Sequence, residues 1–423
     1  SKRVYSLVAG LAFAGILGAS AAELRKWTDI EGREIEASLV EVDGDKVVLK
    51  LKNGRTAEVK TTRLSAVDLE WIKEYGGGQN PFGNDGKDPK VESPAKKAKI
   101  DTKAFVRPDK VLKVTNLEFG EVVESEHFVV ATSSRIKMKD TAEHAERMWH
   151  DMAFFHPNFK ARFRDGKKML IIVVDNQEDW ETIGMWYAEL IRGQGRGDDA
   201  NDMLQTWPPA SGSGVQLPGD VASEYDLVGT ARAYKVTDEK QWERVWSPFR
   251  THTLAGALLG FQASVDSRRG GDGGYWFSTG HSYYKEISLT GETRTTMIRM
   301  DDLEEKTATS ELFGDGKNWP SGVKKLVRRK AVNTDLKALY SVERKTATPE
   351  DTVLAFAFSY FLQSTQSRVF AFMKLVERVE SGSQVPSPVE LAKIYGYRTE
   401  DGGGDVTALN EAWVEFMKSS AFK

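Results

Sequence analysis

The sequence predicts an α+β protein, in which a small β-rich domain precedes a larger mixed α/β domain with a helical C-terminal part. Three observations lead to this prediction. Short alternating strands separated by turn residues fill residues 24 to 75. Residues 76 to 110 are rich in Gly, Pro, Lys and Asp and have almost no apolar periodicity. From residue 111 onward longer strand and helix patterns follow one another, which is typical of a mixed fold.

The N-terminus has the order of features of an export signal. Lys2 and Arg3 precede an apolar run from Val4 to Gly18, and a small-residue stretch follows at 19 to 22. The run is too short to span a bilayer comfortably. We therefore expect residues 1–22 to be a cleaved signal peptide, with an uncleaved membrane anchor as the alternative. The mature chain would then be exported to the periplasm, the cell envelope or the extracellular space.

Composition argues against several classes of protein. The chain has no cysteine, so it can form no disulfide and can use no thiolate ligand or thiol nucleophile. Its 59 basic and 62 acidic residues give a net charge of -3, which argues against a dedicated nucleic-acid binder. Apart from the leader, no apolar stretch reaches the length of a transmembrane helix, so we expect no such segment in the mature chain.

The small domain is expected over residues 23 to 75. Turn signals such as Asn53-Gly54 separate its strands, which are predicted at 25–28, 33–42, 46–51 and 55–60. Ser65 and Asp68 have the spacing of a helix cap. They are expected to open a short helix that carries Leu69, Trp71 and Ile72 toward the core.

The same segment resembles a known family. The resemblance is carried by Trp27-Thr28-Asp29, Gly32-Arg33, Ile35-Glu36-Ala37, Gly44-Asp45, Asn53-Gly54-Arg55 and Arg63-Leu64-Ser65. These motifs resemble Sla homology domain one, an SH3-like barrel that binds Asn-Pro-Phe-x-Asp peptides in endocytic adaptors and is widespread in exported bacterial proteins. The resemblance implies a peptide-binding barrel here. The candidates for pairing with the acidic residue of a peptide are Lys50, Lys52, Arg55, Lys60 and Arg63.

Residues 76–110 are expected to be a flexible linker that carries a ligand motif. Its sequence Asn80-Pro81-Phe82-Gly83-Asn84-Asp85 fits the family's ligand with two spacers between Phe82 and Asp85. We therefore expect the barrel to bind Asn80, Pro81, Phe82 and Asp85, either within one chain or between chains that self-assemble. The alternative is an ordinary linker turn beside a solvated basic strand face.

The large domain is expected over residues 111–423. Its predicted order is a strand, a helix, a strand, a helix, a flexible Gly-rich loop, two strands and then mainly helices. The corresponding ranges are 127–132, 141–155, 169–175, 178–191, 193–197, near 215–217 and 230–236, and finally 349–362, 366–379, 389–395 and 406–417.

Two motifs of the large domain resemble the gluzincin metallopeptidases. Residues 250 to 259 correspond to the helix that bears H-E-x-x-H, and residues 276 to 280 correspond to a Trp-x-x-Glu-Gly motif on a second helix. The resemblance implies that His252 is the first zinc ligand. It also implies that Thr253 replaces the general base, Gly256 the second ligand and Thr279 the third. Threonine has no carboxylate and glycine has no side chain, so this chemistry is lost.

We therefore expect a non-catalytic binding or structural protein without a metal or other cofactor, a pseudopeptidase joined to a peptide-recognising barrel. The alternative is an active metallopeptidase or other hydrolase with a remodelled site. In that case His281, Asp272 or Glu286 would join His252 as a ligand.

Two helices are predicted in detail. Residues 250 to 261 are expected to form a core helix with Leu254, Ala257, Leu258 and Phe261 on its apolar face. The basic run 324 to 330 alternates with apolar residues, which predicts the solvated face of a docked helix. Binding of that run to an anionic surface is the alternative.

Overall fold

The computed structural model describes residues 24–43, 45–75, 90–133, 135–156, 159–236, 242, 246–263, 272–295, 313, 316–344 and 346–423. The chain divides after Lys87 into two compact units. Among the described residues, no helix combines the length and the apolar character of a membrane span. The expected signal peptide, residues 1–22, and the motif from Asn80 to Asp85 lie outside the described residues.

The first unit is a small β domain that agrees with the predicted elements to within one residue in each strand. Its strands form one antiparallel sheet in sequence order: β1 Arg25–Thr28, β2 Glu34–Asp43, β3 Lys46–Leu51 and β4 Thr56–Lys60. Helix α1, Ala66–Tyr75, follows the sheet. Alternation along the strands buries Trp27, Val47 and Leu49, while α1 contributes Leu69 and Ile72 to the core.

The carboxylate of Asp68 connects α1 to the first strand. Its Oδ2 accepts hydrogen bonds from the Thr28 backbone N–H at 2.6 Å and from the Ser65 hydroxyl at 2.8 Å. Its Oδ1 lies 2.8 Å from the Arg25 guanidinium. That guanidinium lies 4.6 Å from the ring centre of Trp27 and 4.5 Å from that of Trp71. The predicted cap pair therefore also fixes an arginine between two indoles.

The second unit contains a five-stranded mixed sheet. Its spatial order is β10-β11-β9-β8-β7, in which β8, β9 and β11 are parallel and the two outer strands are antiparallel to their neighbours. A separate hairpin consists of β5 and β6. The bounds are β5 Leu112–Val114, β6 Leu117–Phe119, β7 Glu121–Glu124, β8 Phe128–Thr132, β9 Lys168–Val174, β10 Gly212–Gln216 and β11 Leu227–Lys235.

Both faces of this sheet are covered. Along β9, Met169, Ile171 and Val173 belong to one apolar cluster, whereas the alternate residues Leu170 and Ile172 belong to another. A strand buried on both faces has a continuous apolar sequence rather than an alternating one. This explains why residues 169 to 174 contain no polar side chain.

Helices cover the sheet and form the C-terminal part. Their bounds are α2 Met138–Phe155, α3 Gln177–Gly193, α4 Gly197–Thr206, α5 Gly219–Glu224, α6 Pro248–Ala263, α7 His281–Thr290, α8 Trp319–Arg328, α9 Leu336–Tyr340, α10 Pro349–Leu362, α11 Gln366–Gly382, α12 Pro388–Ile394 and α13 Val406–Lys418. The predicted α+β class is confirmed, as are the four C-terminal helices. The prediction missed α4, α5 and α9, and also the strands β5 to β7.

The prediction of a flexible linker over the whole of 76–110 is wrong for its second half. Ser93 donates a hydrogen bond to Asp151 at 2.5 Å, and Arg147 donates to the carbonyls of Ala95 and Ala98 at 3.1 and 2.9 Å. Both alanines are buried. The segment consists mainly of small and charged residues, so its sequence shows no apolar periodicity. It is ordered instead by hydrogen bonds from Arg147 to its backbone carbonyls. The second unit therefore begins before residue 111, with Lys90 already paired to Thr365.

The predicted flexible loop 193–197 is instead a tight turn between α3 and α4. Gly195 has φ +78° and donates its N–H to the Arg192 carbonyl at 2.9 Å. The two helices are tied by Trp180 and Trp207, whose rings stack with their centres 4.6 Å apart. Each indole N–H donates to the other's backbone carbonyl, at 2.8 and 2.7 Å. Gly195 is therefore needed for its positive φ in the turn, and not to make the loop mobile.

We expect Gly184→Ala to destabilise the second unit, because an added Cβ would lie 2.5 Å from the Trp207 ring. A gain in helix propensity of about 1 kcal/mol opposes a clash of roughly 1–3 kcal/mol, so the net loss should be up to about 2 kcal/mol. Urea denaturation measures it. Gly193→Ala is the matched control, because its added Cβ meets no atom within 4 Å. Equal midpoints for both variants would contradict the expected clash.

Candidate functional site

Helix α6 carries the first peptidase-like motif, and the predicted helix is confirmed. Leu254 and Leu258 are fully buried, whereas Ala257 and Phe261 are half-buried. The buried face of α6 is therefore rotated from the predicted one, so that it includes Ala255 in place of Ala257. His252 lies on this face and is 8 % exposed.

His252 pairs with Glu286 of α7. The distance from His252 Nδ1 to Glu286 Oε2 is 2.9 Å, and the Glu286 side chain is fully buried. Its other oxygen accepts hydrogen bonds from the Arg294 backbone N–H at 2.8 Å and from the Thr295 hydroxyl at 3.1 Å. The pair is therefore a bonded link between α6, α7 and the segment that follows α7. Of the three alternative ligands, Glu286 is the one that reaches His252.

Two contacts fix the register of the two helices. Position 252 faces 286, and a Cβ added at Gly256 would lie 2.7 Å from the Ser282 hydroxyl. The later position on α6 contacts the earlier position on α7, so the two helices run antiparallel. Thr279 precedes Glu286 by seven residues, or roughly 10 Å along a helix axis. The register therefore places Glu286 and Ser282, rather than Thr279, opposite His252 and Gly256.

Thr279 belongs to a π-helical turn, Trp276–Gly280, that leads into α7. Gly280 ends this turn where the chain crosses α10 closely. A Cβ there would lie 2.4 Å from the Ala355 carbonyl oxygen and 2.8 Å from the Ser359 hydroxyl. The glycine of this motif is thus required by packing alone.

Thr253, at the position of the general base, is engaged in structural hydrogen bonds. Its Oγ1 lies 2.8 Å from the Phe249 carbonyl and 3.0 Å from the Tyr234 hydroxyl. A hydroxyl has no conjugate base near neutral pH. This side chain joins α6 to β11 and has no carboxylate to activate water.

The residues at these positions do not fit a catalytic zinc ion. Such a site needs three protein ligands with an open fourth position. Gly256 supplies no donor, Ser282 fills the space beside it, and His252 is bonded to Glu286. Across the described residues, no group of three or more His, Cys, Asp or Glu side chains could hold a metal ion.

His281 lies in a different buried cluster, and Asp272 is exposed. The ring of His281 is 5.4 Å from that of His156, and both imidazoles are buried. Next to them Lys285 pairs with Asp151 at 2.9 Å, with both side chains almost fully buried. Burial lowers the pKa of Lys285, and Asp151 opposes this effect. No sequence signal pointed to this pair, because its members are far apart in the chain.

The two buried imidazoles should make the second unit sensitive to acid. Burial, and secondly the Lys285 cation, lower the pKa of His156 and of His281 well below the usual range. The unfolded chain binds protons below a pH of about 6.5, where the folded chain does not. Stability is therefore lost as the pH falls through this window, by up to about 2 kcal/mol per imidazole at a pH of about 5.

We expect His156→Phe to weaken this pH dependence. Phenylalanine keeps ring contacts with His281 and Phe372 but cannot take up a proton. Urea midpoints measured near neutral pH and near pH 5, a window set by the ordinary histidine pKa, should differ less for the variant than for the unchanged protein. An unaltered difference would show that His156 does not set the acid response.

The basic candidates of the first unit form two groups. Lys50, Lys52 and Arg55 surround the β3–β4 turn, where Lys50 lies opposite Thr56. Lys60 and Arg63 lie at the other end of β4, roughly 13 Å away along a strand of this length. The fold therefore does not bring all five together.

Each group contains one cation with an acidic partner. Lys52 pairs with Glu36 at 3.4 Å, and Arg63 lies 4.0 Å from Asp29. Lys50 and Arg55 at the turn, and Lys60 at the other end of β4, form no ion pair with any side chain that the structure describes. The β3–β4 turn thus presents two exposed cations that remain available to an acidic ligand, and the other end of β4 presents one.

This small β domain has a recognisable family signature. Residues 18–79 match the family model of SLA1 homology domain 1. SLA1 homology domain 1 is a protein-interaction domain. The match covers all four strands and α1, and it confirms the resemblance seen in this part of the sequence. No curated protein and no solved structure matches the chain. The resemblance of the second unit to gluzincins therefore has no support from these comparisons.

Proposed function

We propose that this chain is a non-catalytic binding protein. Its SLA1 homology domain 1 recognises a short Asn-Pro-Phe peptide, and its second unit is a pseudopeptidase scaffold. The observation that carries the first half is the family match over a folded β domain with free cations at one turn. The second half rests on the α6–α7 pair. Export to the cell envelope belongs to the same proposal and rests on the leader sequence.

The β3–β4 turn is the proposed site for the acidic end of the peptide. Asp85 needs a cation that is not already paired. Lys50 and Arg55 at the turn both meet this requirement, whereas the other end of β4 offers Lys60 alone. An exposed ion pair contributes only about 1 kcal/mol or less. Most of the affinity should therefore come from burial of the Phe82 ring.

We expect the domain to bind a synthetic peptide of residues 78 to 88, and Phe82→Ala in the peptide to abolish most of the affinity. Asp85→Asn in the peptide should weaken binding by about fivefold or less, as for a partly exposed ion pair. Isothermal titration of the purified chain carrying Phe82→Ala, so that its own motif does not compete, measures both effects.

A matched pair of domain variants tests the location. Lys50→Gln with Arg55→Gln should reduce affinity, whereas Lys60→Gln with Arg63→Gln removes the same charge at the other end of β4 and should not. Equal losses would reject the β3–β4 turn as the site. Equal affinity for the native and Phe82→Ala peptides would reject recognition of the motif altogether.

The molecular mass of the protein in solution distinguishes binding of the motif within one chain from binding between chains. Tyr75, the last residue of α1, is five positions before Asn80. A random coil of that length would reach only about 12 Å, so pairing between chains is favoured unless the groove is near Tyr75. Light scattering over a range of concentrations should then show oligomers, and the Phe82→Ala variant should be monomeric.

The pseudopeptidase half of the proposal is supported by the arrangement of α6 and α7. His252 faces a buried acidic residue on an antiparallel helix, as a first ligand would face a third. The second ligand and the base are replaced by Gly256 and Thr253. The runner-up, an active metallopeptidase or other hydrolase with a remodelled site, would need further ligands around His252 and Glu286. The described residues supply none.

We expect the unchanged protein to bind no stoichiometric zinc, and Gly256→His combined with Ser282→Ala to create a site with His252 and Glu286. The alanine is needed because the Ser282 hydroxyl lies 2.7 Å from the new Cβ. Elemental analysis measures zinc per chain, and cobalt substitution reports a tetrahedral site through its visible spectrum.

The control adds Glu286→Gln, which should remove the uptake. A second comparison combines Gly256→His with Thr279→Glu and leaves Ser282 in place. If that variant binds zinc and the first does not, the register of α6 and α7 derived above is wrong. Failure of both would count against a peptidase scaffold.

A further inference from the structure

Helix α8 and the residues after it carry a cluster of cations. We define the basic face as Lys324, Lys325, Arg328, Arg329 and Lys330. All but the half-buried Lys324 are exposed. The opposite side of α8 is buried through Val323, Leu326 and Val327. The helix is therefore docked, as predicted, and its cations point away from the core.

No carboxylate that the structure describes forms an ion pair with the basic face. Two of its members donate to backbone carbonyls instead. The Lys324 ammonium lies 3.3 Å from the Phe422 carbonyl, and the Arg328 guanidinium lies 3.2 Å from that of Lys418. The positive charge is thus uncompensated on a chain whose net charge is -3.

The helix dipole accounts for only part of this cluster. Cations in the last turn are stabilised by the carbonyl end of a helix, and Lys325 and Arg328 occupy that turn. The effect falls off within one turn. Arg329 and Lys330 lie beyond Arg328, where α8 ends, and Lys330 has φ +53°. Their charge has no structural use within the described part of the chain.

We propose that the basic face binds an anionic phospholipid bilayer as a peripheral electrostatic contact. The face is the outer side of one helix together with the turn that follows it, which suits a plane better than a wrapped polymer. Trp319 and Phe422 nearby are buried, so no aromatic ring is available for stacking on nucleic-acid bases. Residues 316 to 344 include no large exposed hydrophobic side chain, so the contact does not insert into the bilayer.

The test is sedimentation of the full chain with vesicles. Vesicles of phosphatidylcholine and phosphatidylglycerol in equal amounts should bind it, and phosphatidylcholine alone should not. Raising the salt concentration should release it. Lys325→Gln with Arg329→Gln and Lys330→Gln should reduce partitioning by roughly fivefold per charge, or about a hundredfold in all. These three side chains make no hydrogen bond in the described structure, so the fold should persist.

Lys96→Gln with Lys99→Gln and Lys103→Gln is the matched control, because it removes the same charge from exposed lysines elsewhere. It should bind as the unchanged protein does. A charge-retaining variant, Lys325→Arg with Arg329→Lys and Lys330→Arg, should also keep binding. Equal loss in both Gln variants overturns the proposal. So does binding to neutral vesicles, or binding to heparin or duplex DNA without binding to anionic vesicles.

Discussion

The close antiparallel contact of α6 with α7 is the constraint on which the second unit depends. At Gly256 the Ser282 hydroxyl occupies the space of a side chain, and at His252 the gap between the helices is closed by Glu286. The other oxygen of this carboxylate accepts a hydrogen bond from the Arg294 backbone N–H, which fixes the segment that follows α7. A metal ion between these helices would require space and donors that the packing has replaced with direct contacts.

The same region shows how the interior tolerates charge. Lys285, adjacent to Glu286 in sequence, points to a different side of α7 and pairs with Asp151. Each buried charge on α7 therefore has its own partner on a different helix. Removal of one member of such a pair costs more than the pair itself contributes, because the other is left charged in a poorly hydrated interior.

Sequence reasoning succeeded where a local rule determines the outcome. The strands of the first unit and the Asn53-Gly54 turn follow from period and turn chemistry alone. It failed where contacts between residues that are distant in the sequence determine the structure. The segment around Ser93 is ordered by Arg147 and Asp151, which no local pattern reveals. Likewise, the aligned position Thr279 was preferred to Glu286, because only the register of two helices shows which residue faces His252.

The early start of the second unit also has a consequence for the Asn-Pro-Phe segment. Helix α1 ends at Tyr75, and Lys90 is already paired with Thr365. The contour of the chain between these two points is at most about 50 Å. The motif is therefore joined to the folded chain on both sides. In the recognition proposed above, a partner would bind it as part of a loop, whose closure entropy a synthetic peptide with free ends does not carry.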